Sequence, residues 1–251
     1  MNTVIKLAQD DFKIWKESNH LFTQSVNELN TKFELRGNSS LISSVPPTYF
    51  AGDLTKGKKT LVVGINPGYG EENIQFESTI RHRDCNSYLD FHLNFFDYYR
   101  KSGKYINYYS QVSGALASEV LRGSSDRFRF CQENLVNIDL IPYHSVGFKR
   151  RKLSVLIKEY IIDRFNQVIL PTISESANNI ERVIIHEKHL TEIIKEKFGV
   201  NDSHQVFCKK RTKDTIKVHK IKVKRIPVYL FSRFIPQGGF SYADVKVALS
   251  K

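Results

Sequence analysis

Hydrophobic positions along the chain follow two patterns, helical spacing and short continuous apolar runs. From Phe12 to Phe33 apolar residues recur at steps of three and four, which predicts one amphipathic helix over residues 10–35. Residues 71–84 are polar and predict an irregular segment. Other helical patterns cover residues 88–101, 105–121, 152–170, 188–198 and a last helix that starts at Ser241, with Asp244 at capping-box spacing.

Four β-branched and aliphatic runs predict buried strands, at residues 60–63, 135–141, 182–186 and 226–231. Strands that alternate with helices indicate βαβ units and a parallel sheet. We therefore expect an α/β fold with three layers, α/β/α, around a central four-stranded, mainly parallel sheet. Residues 1–251 are expected to form a single domain, with an N-terminal helical extension (1–45) and a basic insert (203–225).

The basic insert is unusually one-sided in charge. Between Lys209 and Arg225 it has nine lysines and arginines and one acid, Asp214, and apolar residues alternate with basic ones. This pattern predicts a basic β-ribbon or edge hairpin. A solvated edge that resists aggregation is one interpretation, but nine charges of one sign favour contact with phosphates. The candidate phosphate contacts are Lys217, Lys220, Lys222 and Lys224.

Composition and charge narrow the class of protein. With 251 residues, 41% of them hydrophobic, the chain is long enough for one sizeable core. Its net charge of +12 and pI of about 9.5 suit a polyanionic partner. Three widely spaced cysteines without a Cys-x-x-Cys pair argue against a zinc site, an iron–sulfur cluster or disulfides, and no run of 18 apolar residues occurs. We expect a cytoplasmic protein without a metal or a membrane partner.

The sequence Gly-Ile-Asn-Pro-Gly at residues 64–68 directly follows the first predicted strand. Ligands bind at the carboxyl ends of strands in open α/β sheets, although these residue types also form simple turns. The segment resembles the first active-site motif of the uracil-DNA glycosylase superfamily, in the form found in its mismatch-specific thymine/uracil branch. The resemblance implies that Asn66 holds the water that attacks the sugar C1′. Gly68 replaces a bulky tyrosine of the classical uracil enzymes, which leaves room at the pyrimidine C5.

A second segment, residues 137–145, resembles the superfamily strand whose end carries the base-binding residue, followed by an aromatic residue, His and Ser. Asp139 stands where that strand normally has asparagine. An amide matches uracil or thymine, whereas a carboxyl oxygen accepts from cytosine N4 and, if protonated, donates to N3. Burial in an apolar pocket raises the pKa of a carboxyl group, which favours the protonated form. A helix cap or an ion pair with an arginine is the alternative role of Asp139.

The superfamily's last motif, normally His- or Asn-Pro-Ser after the final strand, is poorly matched by residues 231–241. The resemblance places this loop at the minor groove, where Arg233 or Phe234 would fill the space left by a flipped base. The missing histidine leaves Ser232, Arg233 or His144 to assist the departing base. His144 is also a candidate to contact a phosphate or to anchor its own loop.

The remaining expectations concern the base and the phosphates. Phe76 or Tyr69 would stack on the flipped base. Phosphate contacts are also expected from Lys149, Arg150 and Arg151, at the start of a predicted helix. The full set of expected base contacts is Gly64, Ile65, Gly68, Tyr69, Phe76, Tyr143 and Ser232.

These features predict a monofunctional DNA glycosylase, monomeric and without a cofactor, that flips a pyrimidine out of double- or single-stranded DNA and hydrolyses its N-glycosidic bond. The first motif has no lysine, so no Schiff-base step is expected. Excision of ordinary cytosine would destroy the host genome. We therefore expect a C5-modified cytosine, such as a hydroxymethylated or glycosylated base of phage DNA, and with it a role in antiviral defence. The alternatives are repair of uracil or thymine mismatches, and a non-catalytic nucleic-acid-binding relative.

Overall fold

The computed structural model describes residues 2–148, 153–200, 204–208, 211–232, 234–235 and 241–250. Among these residues, no helix combines the length and the apolar character needed to cross a membrane. A π-helical segment, Phe165–Ile169, joins the eighth and ninth α-helices. The helices are α1 (Thr3–Glu17), α2 (Asn19–Lys32), α3 (Glu71–Arg81), α4 (Cys85–Leu93), α5 (Phe95–Ser102), α6 (Asn107–Leu116), α7 (Gly123–Asn134), α8 (Val155–Arg164), α9 (Leu170–Glu175), α10 (Lys188–Phe198) and α11 (Tyr242–Ser250). The strands are β1 (Phe50–Ala51), β2 (Lys59–Gly64), β3 (Leu135–Asp139), β4 (Ile180–Ile185), β5 (His204–Cys208), β6 (Arg211–Val223) and β7 (Ile226–Phe231).

The strands form one mixed sheet in the order β1-β3-β2-β4-β7-β6-β5. The neighbours β3–β2, β2–β4 and β4–β7 are parallel. The outer pairs β1–β3, β6–β7 and β5–β6 are antiparallel. The expected α/β class is confirmed, but within the described residues the sheet has seven strands rather than four. The increase has two sources: β1 adds to one edge, and the basic insert adds β5 and β6 to the other.

Both faces of the sheet are covered by apolar side chains. Leu61 and Val63 of β2 belong to one core cluster and Val62 belongs to the other, because successive side chains of a strand point to opposite faces. Helices α1, α2, α8 and α10 contribute to the first cluster, and α5, α6, α7 and α11 to the second. A strand buried on both faces has a continuous apolar sequence, which explains the run at residues 60–63.

Two of the predicted helices are divided in the structure. The helix expected over residues 10–35 is broken at Ser18, whose φ of −137° and ψ of 51° lie outside the helical region. The helix expected over residues 88–101 is broken at Asn94, with φ −106° and ψ 24°. Phe12 and Phe22 lie on either side of the first break and bury in the same cluster. Apolar spacing does not locate such a break, because both halves supply the same core.

Two helices were not predicted from the pattern of apolar residues, and in one of them some of the buried residues are charged. The segment expected to be irregular contains α3, whose buried residues include Glu77 and Arg81, an ion pair at 3.1 Å. Helix α7 was not predicted either. At the last helix the capping-box prediction is confirmed, because the Asp244 carboxylate accepts a hydrogen bond from the Ser241 amide at 2.7 Å.

The loops after β2 and β3 are joined to each other beyond the ends of the strands. The amide of Ile141 donates to the Ile65 carbonyl at 2.7 Å, and the amide of Tyr69 donates to the Ser145 carbonyl at 2.9 Å. Parallel pairing therefore continues into the two segments that carry the candidate motifs. This connection holds the motifs side by side at the carboxyl edge of the sheet.

Candidate active site

A cleft of about 420 Å³ opens at the carboxyl ends of β2, β3 and β4. Its volume lies in the range of pockets that bind small molecules or a flipped nucleotide base, and its position is the usual ligand site of an open α/β sheet. Gly64 and Ile65 form part of its wall. The polar groups on the wall include Asn66, Asn137, Asp139, Tyr108, His144 and His186.

Asn66 is held rigidly in the loop after β2. It is 5% exposed, and its Nδ2 donates to Ser145 Oγ at 2.8 Å and to the Pro67 carbonyl at 3.2 Å. A carbonyl accepts hydrogen bonds but does not donate them, so these contacts identify the nitrogen end of the amide. Asn66 Oδ1 is then the acceptor that the amide presents from its place in the cleft wall. A fixed amide oxygen in this position can orient a water molecule.

Asp139 lies at the end of β3, directly opposite Gly64 in the parallel pairing. Its Oδ2 accepts a hydrogen bond from Asn137 Nδ2 at 3.0 Å. Its Oδ1 lies where a side chain at position 64 would begin, because a Cβ on Gly64 would overlap that oxygen. The residue is 9% exposed. Asp139 is therefore an acid set into the cleft wall.

Tyr108 and His186 form the neighbouring part of the wall. The Tyr108 hydroxyl lies 2.8 Å from His186 Nε2 and 3.4 Å from Asn137 Oδ1. His186 directly follows β4, and Tyr108 is in α6. Hydrogen bonds thus connect His186, Tyr108, Asn137 and Asp139 along one side of the cleft.

His144 anchors the floor of the cleft. Its Nδ1 lies 2.8 Å from the Gly68 carbonyl and its Nε2 lies 2.9 Å from Thr48 Oγ1, which accepts from Arg81 Nη1 at 2.7 Å. Burial, followed by the charge of Arg81, lowers the pKa of His144 to about 3. The ring is therefore neutral, with the proton on Nδ1, and Nε2 accepts from the Thr48 hydroxyl. Both ring nitrogens hold the loop, which corrects the expectation of a catalytic His144 in favour of its anchoring alternative.

A buried ion pair supports this floor. Arg81 is 0% exposed and pairs with Glu77, whose Oε1 accepts a hydrogen bond from the Tyr99 hydroxyl at 2.7 Å. Removal of one partner would leave an uncompensated buried charge, which costs several kcal/mol, about 3–5. The pair holds Arg81 in place, and Arg81 links α3 to the Gly68 loop through Thr48 and His144.

Gly68 opens the mouth of the cleft. A Cβ added at Gly68 would meet no atom within 4 Å. The cleft consequently has free space at the position where the resemblance predicts room for a substituent. Tyr69, partly exposed, lines the cleft next to it.

Three expected base contacts lie elsewhere. The Phe76 ring packs edge-on against Tyr99 with 5.2 Å between centroids, and it is not among the cleft-lining residues. Tyr143 packs against Phe22 of α2. Ser232 Oγ accepts from the Lys217 amide at 2.9 Å, which extends the β6–β7 pairing. The expectation that these three side chains contact the base is corrected, because each packs against another part of the fold.

The expected DNA contacts are also distributed differently. Phe234 is 1% exposed and packs against His186 and Phe231, so it is a core side chain and not one presented to a DNA stack. Lys149, Arg150, Arg151 and Arg233 lie outside the described residues.

The four lysines of the insert are exposed but do not form one row. Lys217 and Lys220 are three residues apart in β6, so they point to opposite faces. Lys224 lies in the turn before β7 with φ 53°. The basic stretch is therefore divided between different parts of the sheet.

Sequence reasoning missed Tyr108, His186 and Glu77. His186 ended a predicted strand at the edge where ligands bind, so its position was a usable signal. Tyr108 and Glu77 carried no such signal, because they reach the cleft only through the packing of α6 and α3. Within the described residues, no group of three or more His, Cys, Asp or Glu side chains is placed to hold a metal ion.

Comparison with protein-family models, with curated proteins and with solved structures finds no match to this chain. The superfamily resemblance therefore stays a prediction that rests on the motifs.

Proposed function

We propose that the protein is a monofunctional DNA glycosylase, a cytoplasmic monomer that takes a flipped pyrimidine nucleotide into the cleft and hydrolyses its N-glycosidic bond. One observation carries the proposal. The amide of Asn66 is fixed through Nδ2, which leaves Oδ1 as an acceptor in the same cleft wall as the Asp139 carboxyl group. A water-orienting group and a base-binding group therefore share one small cleft.

In the proposed reaction Asn66 Oδ1 orients a water molecule whose oxygen forms a bond to the sugar C1′. The bond from C1′ to the base nitrogen breaks, and its electron pair leaves with the base. The Tyr108 hydroxyl, supported by His186 at 2.8 Å, donates to the departing base and so stabilises its negative charge. The water's proton passes to solvent. If Tyr108 and His186 transfer a proton to the base, they regain one from solvent.

The substrate proposal rests on Asp139 and Gly68. The Asp139 carboxyl group lines the cleft and accepts a hydrogen bond from Asn137, and we propose that it also meets the edge of the base. A carboxylate oxygen accepts from the N4 amino group of cytosine, whereas uracil and thymine present an acceptor at that position. The open space at Gly68 accommodates a group on C5. The substrate class is therefore a C5-modified cytosine; phage DNA as its source, and a defence role, follow from the toxicity of excising ordinary cytosine.

A second candidate function is excision of uracil or thymine. Asn137 favours it, because its amide lies in the cleft wall two residues before Asp139 on the same face of β3. In the structure that amide is already bonded to Asp139 and faces the Tyr108 hydroxyl. The modified-cytosine proposal therefore comes first.

The test is incubation with matched duplexes that carry a single central uracil, thymine, cytosine, hydroxymethylcytosine or glucosylated hydroxymethylcytosine, followed by alkali. We expect strand breaks on a modified-cytosine duplex and the free base in mass spectrometry. Breaks confined to uracil or thymine duplexes would favour the second candidate. Retarded mobility without breaks on any duplex would identify a nucleic-acid-binding protein without glycosylase activity.

A further inference from the structure

The basic strand β6 extends along the strand direction from the side of the sheet where the parallel strands have their carboxyl ends, here called the carboxyl edge, to the opposite side. It is antiparallel to β7, with Val218 opposite Phe231 and Val223 opposite Ile226. Strand β7 is parallel to β4, which is parallel to β2. Phe231 therefore marks the carboxyl edge, where the cleft opens, and Ile226 marks the opposite edge.

The amino-terminal half of β6 continues past the carboxyl edge. The seven residues Arg211–Lys217 precede Val218 in this strand. Strand β5 pairs with them, from His204 opposite Val218 to Cys208 opposite Arg211. We call these two segments, His204–Cys208 and Arg211–Lys217, the cleft-side arm. The pairing register shifts between Phe207 and Cys208, so the reach follows β5; at about 3.3 Å per residue, the arm extends up to about 13 Å beyond Phe231.

The end of the cleft-side arm next to Val218 is attached firmly to the domain. Ile216 and Val218 are 0% and 2% exposed, and α11 contacts both β5 and β6. The Ser232 amide donates to the Lys217 carbonyl at 2.9 Å, which continues the pairing past the end of β7. An extension held in this way has a defined direction relative to the cleft.

The positive charges of the insert are divided between the two edges. Arg211, Lys213 and Lys217 belong to the cleft-side arm. Lys222, Lys224 and Arg225 are exposed at the opposite edge, around the turn between β6 and β7. The two sets contain the same residue types and the same charge, and they differ in their position relative to the cleft.

We infer that the cleft-side arm binds the phosphates of the duplex that flanks the flipped nucleotide, and that the set at the opposite edge does not. The inference rests on the proposed function, which places one nucleotide in the cleft and hence the neighbouring duplex along the carboxyl edge. A two-stranded ribbon fits the major groove of DNA, which is about 12 Å wide. Basic side chains on such a ribbon bind by neutralising phosphates and releasing counterions.

The division of charge supplies its own control. The arm variant is Arg211→Gln/Lys213→Gln/Lys217→Gln, and the control is Lys222→Gln/Lys224→Gln/Arg225→Gln. Each removes one arginine and two lysine charges from the full-length protein. Binding is measured on a short duplex with one central hydroxymethylcytosine over a range of sodium chloride concentrations, and thermal melting establishes that both variants fold.

We expect the arm variant to bind at least about tenfold more weakly and to lose about 2 to 3 units from the slope of log K against log salt, since each lost phosphate contact removes about 0.9. The control should stay within about twofold of the wild type, because its charges lie at the far edge. Equal losses in both variants, or none in either, would overturn the inference. An equal loss on the corresponding single strand would also overturn it, by showing that the arm binds strands and not the duplex.

The outcome is separable from that of the proposed function. Base release by the wild type, with unchanged duplex binding by the arm variant, would refute the role of the arm and support the glycosylase activity. Weakened duplex binding by the arm variant, without base release from any modified or unmodified duplex, would refute the glycosylase activity and support the role of the arm.

Discussion

Asp139 and Gly64 face each other across the parallel strands β3 and β2, and the carboxylate oxygen Oδ1 of Asp139 occupies the space that a Cβ at position 64 would need. The absence of a side chain at Gly64 is therefore a condition for the position of the acid. The glycine of the first motif and the acid of the second form one structural unit.

This relationship predicts the effect of Gly64→Ala. The added methyl group should displace the carboxylate and lower base release by about a hundredfold, since a shift of about 1 Å in a positioning group has an effect of that size. Gly147→Ala is the matched control, because its Cβ would make only an ordinary contact, 3.7 Å from Asn38 Cβ, and Gly147 is not among the cleft-lining residues. Single-turnover rates on the preferred duplex measure both. Equal activity of the two variants would show that the position of Asp139 is unimportant.

Asn66→Ala should abolish base release while DNA binding persists, because the phosphate contacts are elsewhere. The expected loss is hundreds-fold or more, on the order of several kcal/mol of barrier. Asn73→Ala is the control, since Asn73 also lines the cleft but lies in α3, away from the first motif. Near-normal turnover by Asn66→Ala would remove the assignment of Asn66 as the residue that holds water.

Asp139→Asn tests base recognition. A buried site built for one pattern of donors and acceptors rejects the wrong pattern by orders of magnitude, so release of a cytosine-type base should fall severely and weak activity on uracil should appear. Wild type and variant are compared on duplexes with uracil, thymine, cytosine and modified cytosine. A wild-type preference for uracil that the substitution leaves unaltered would place the mismatch-repair function first.

Tyr108→Phe keeps the aromatic ring and removes the hydroxyl 2.8 Å from His186. Loss of one donor to the developing charge should lower kcat by about a hundredfold or more, with little change in KM. The loss should shrink for a fluorinated base, because a more acidic leaving group needs less help. A loss of the same size for all bases would mean that Tyr108 has only a packing role.

His144→Asn tests the pH dependence of stability. Burial and the nearby Arg81 lower the pKa of His144 from 6.5 in the unfolded chain to about 3 in the fold. Below pH 6.5 the unfolded state therefore binds a proton that the folded state does not. The contribution of His144 to the free energy of unfolding falls by about 1.4 kcal/mol for each unit that the pH decreases, down to about pH 3. Chemical unfolding between pH 7 and 4 should show a slope smaller by about one proton for the variant.

The variant is expected to be less stable at neutral pH, which does not affect this comparison of slopes. His92 contributes in the same direction in both proteins, because burial lowers the pKa of its ring as well. An identical pH slope for wild type and variant would show that His144 is not buried in its neutral form.

The sequence by itself determined the α/β class, the strands β2, β3, β4 and β7, and the place of Asn66 just beyond the end of a strand. These features are local. A strand buried on both faces must be apolar throughout, and a turn at its end must contain residues that can turn. The motif at residues 64–68 was therefore recognisable before any contact was known.

Only the tertiary structure decided which side chains meet in the cleft. It brought Tyr108 and His186 together from α6 and the end of β4, 78 residues apart in sequence. It also turned His144 into an anchor and buried Phe234 beside His186. Such contacts depend on how helices pack across the sheet, which spacing within one segment does not encode.

The basic insert shows the same division most plainly. Its alternation of apolar and basic residues predicted strand structure, and β6 confirms it. The strand register alone placed Val218 opposite Phe231. It therefore separated the charges of the insert between the carboxyl edge of the sheet and the opposite side. Alternation specifies which face a side chain occupies, but only hydrogen bonding to β7 specifies how far along the sheet it lies.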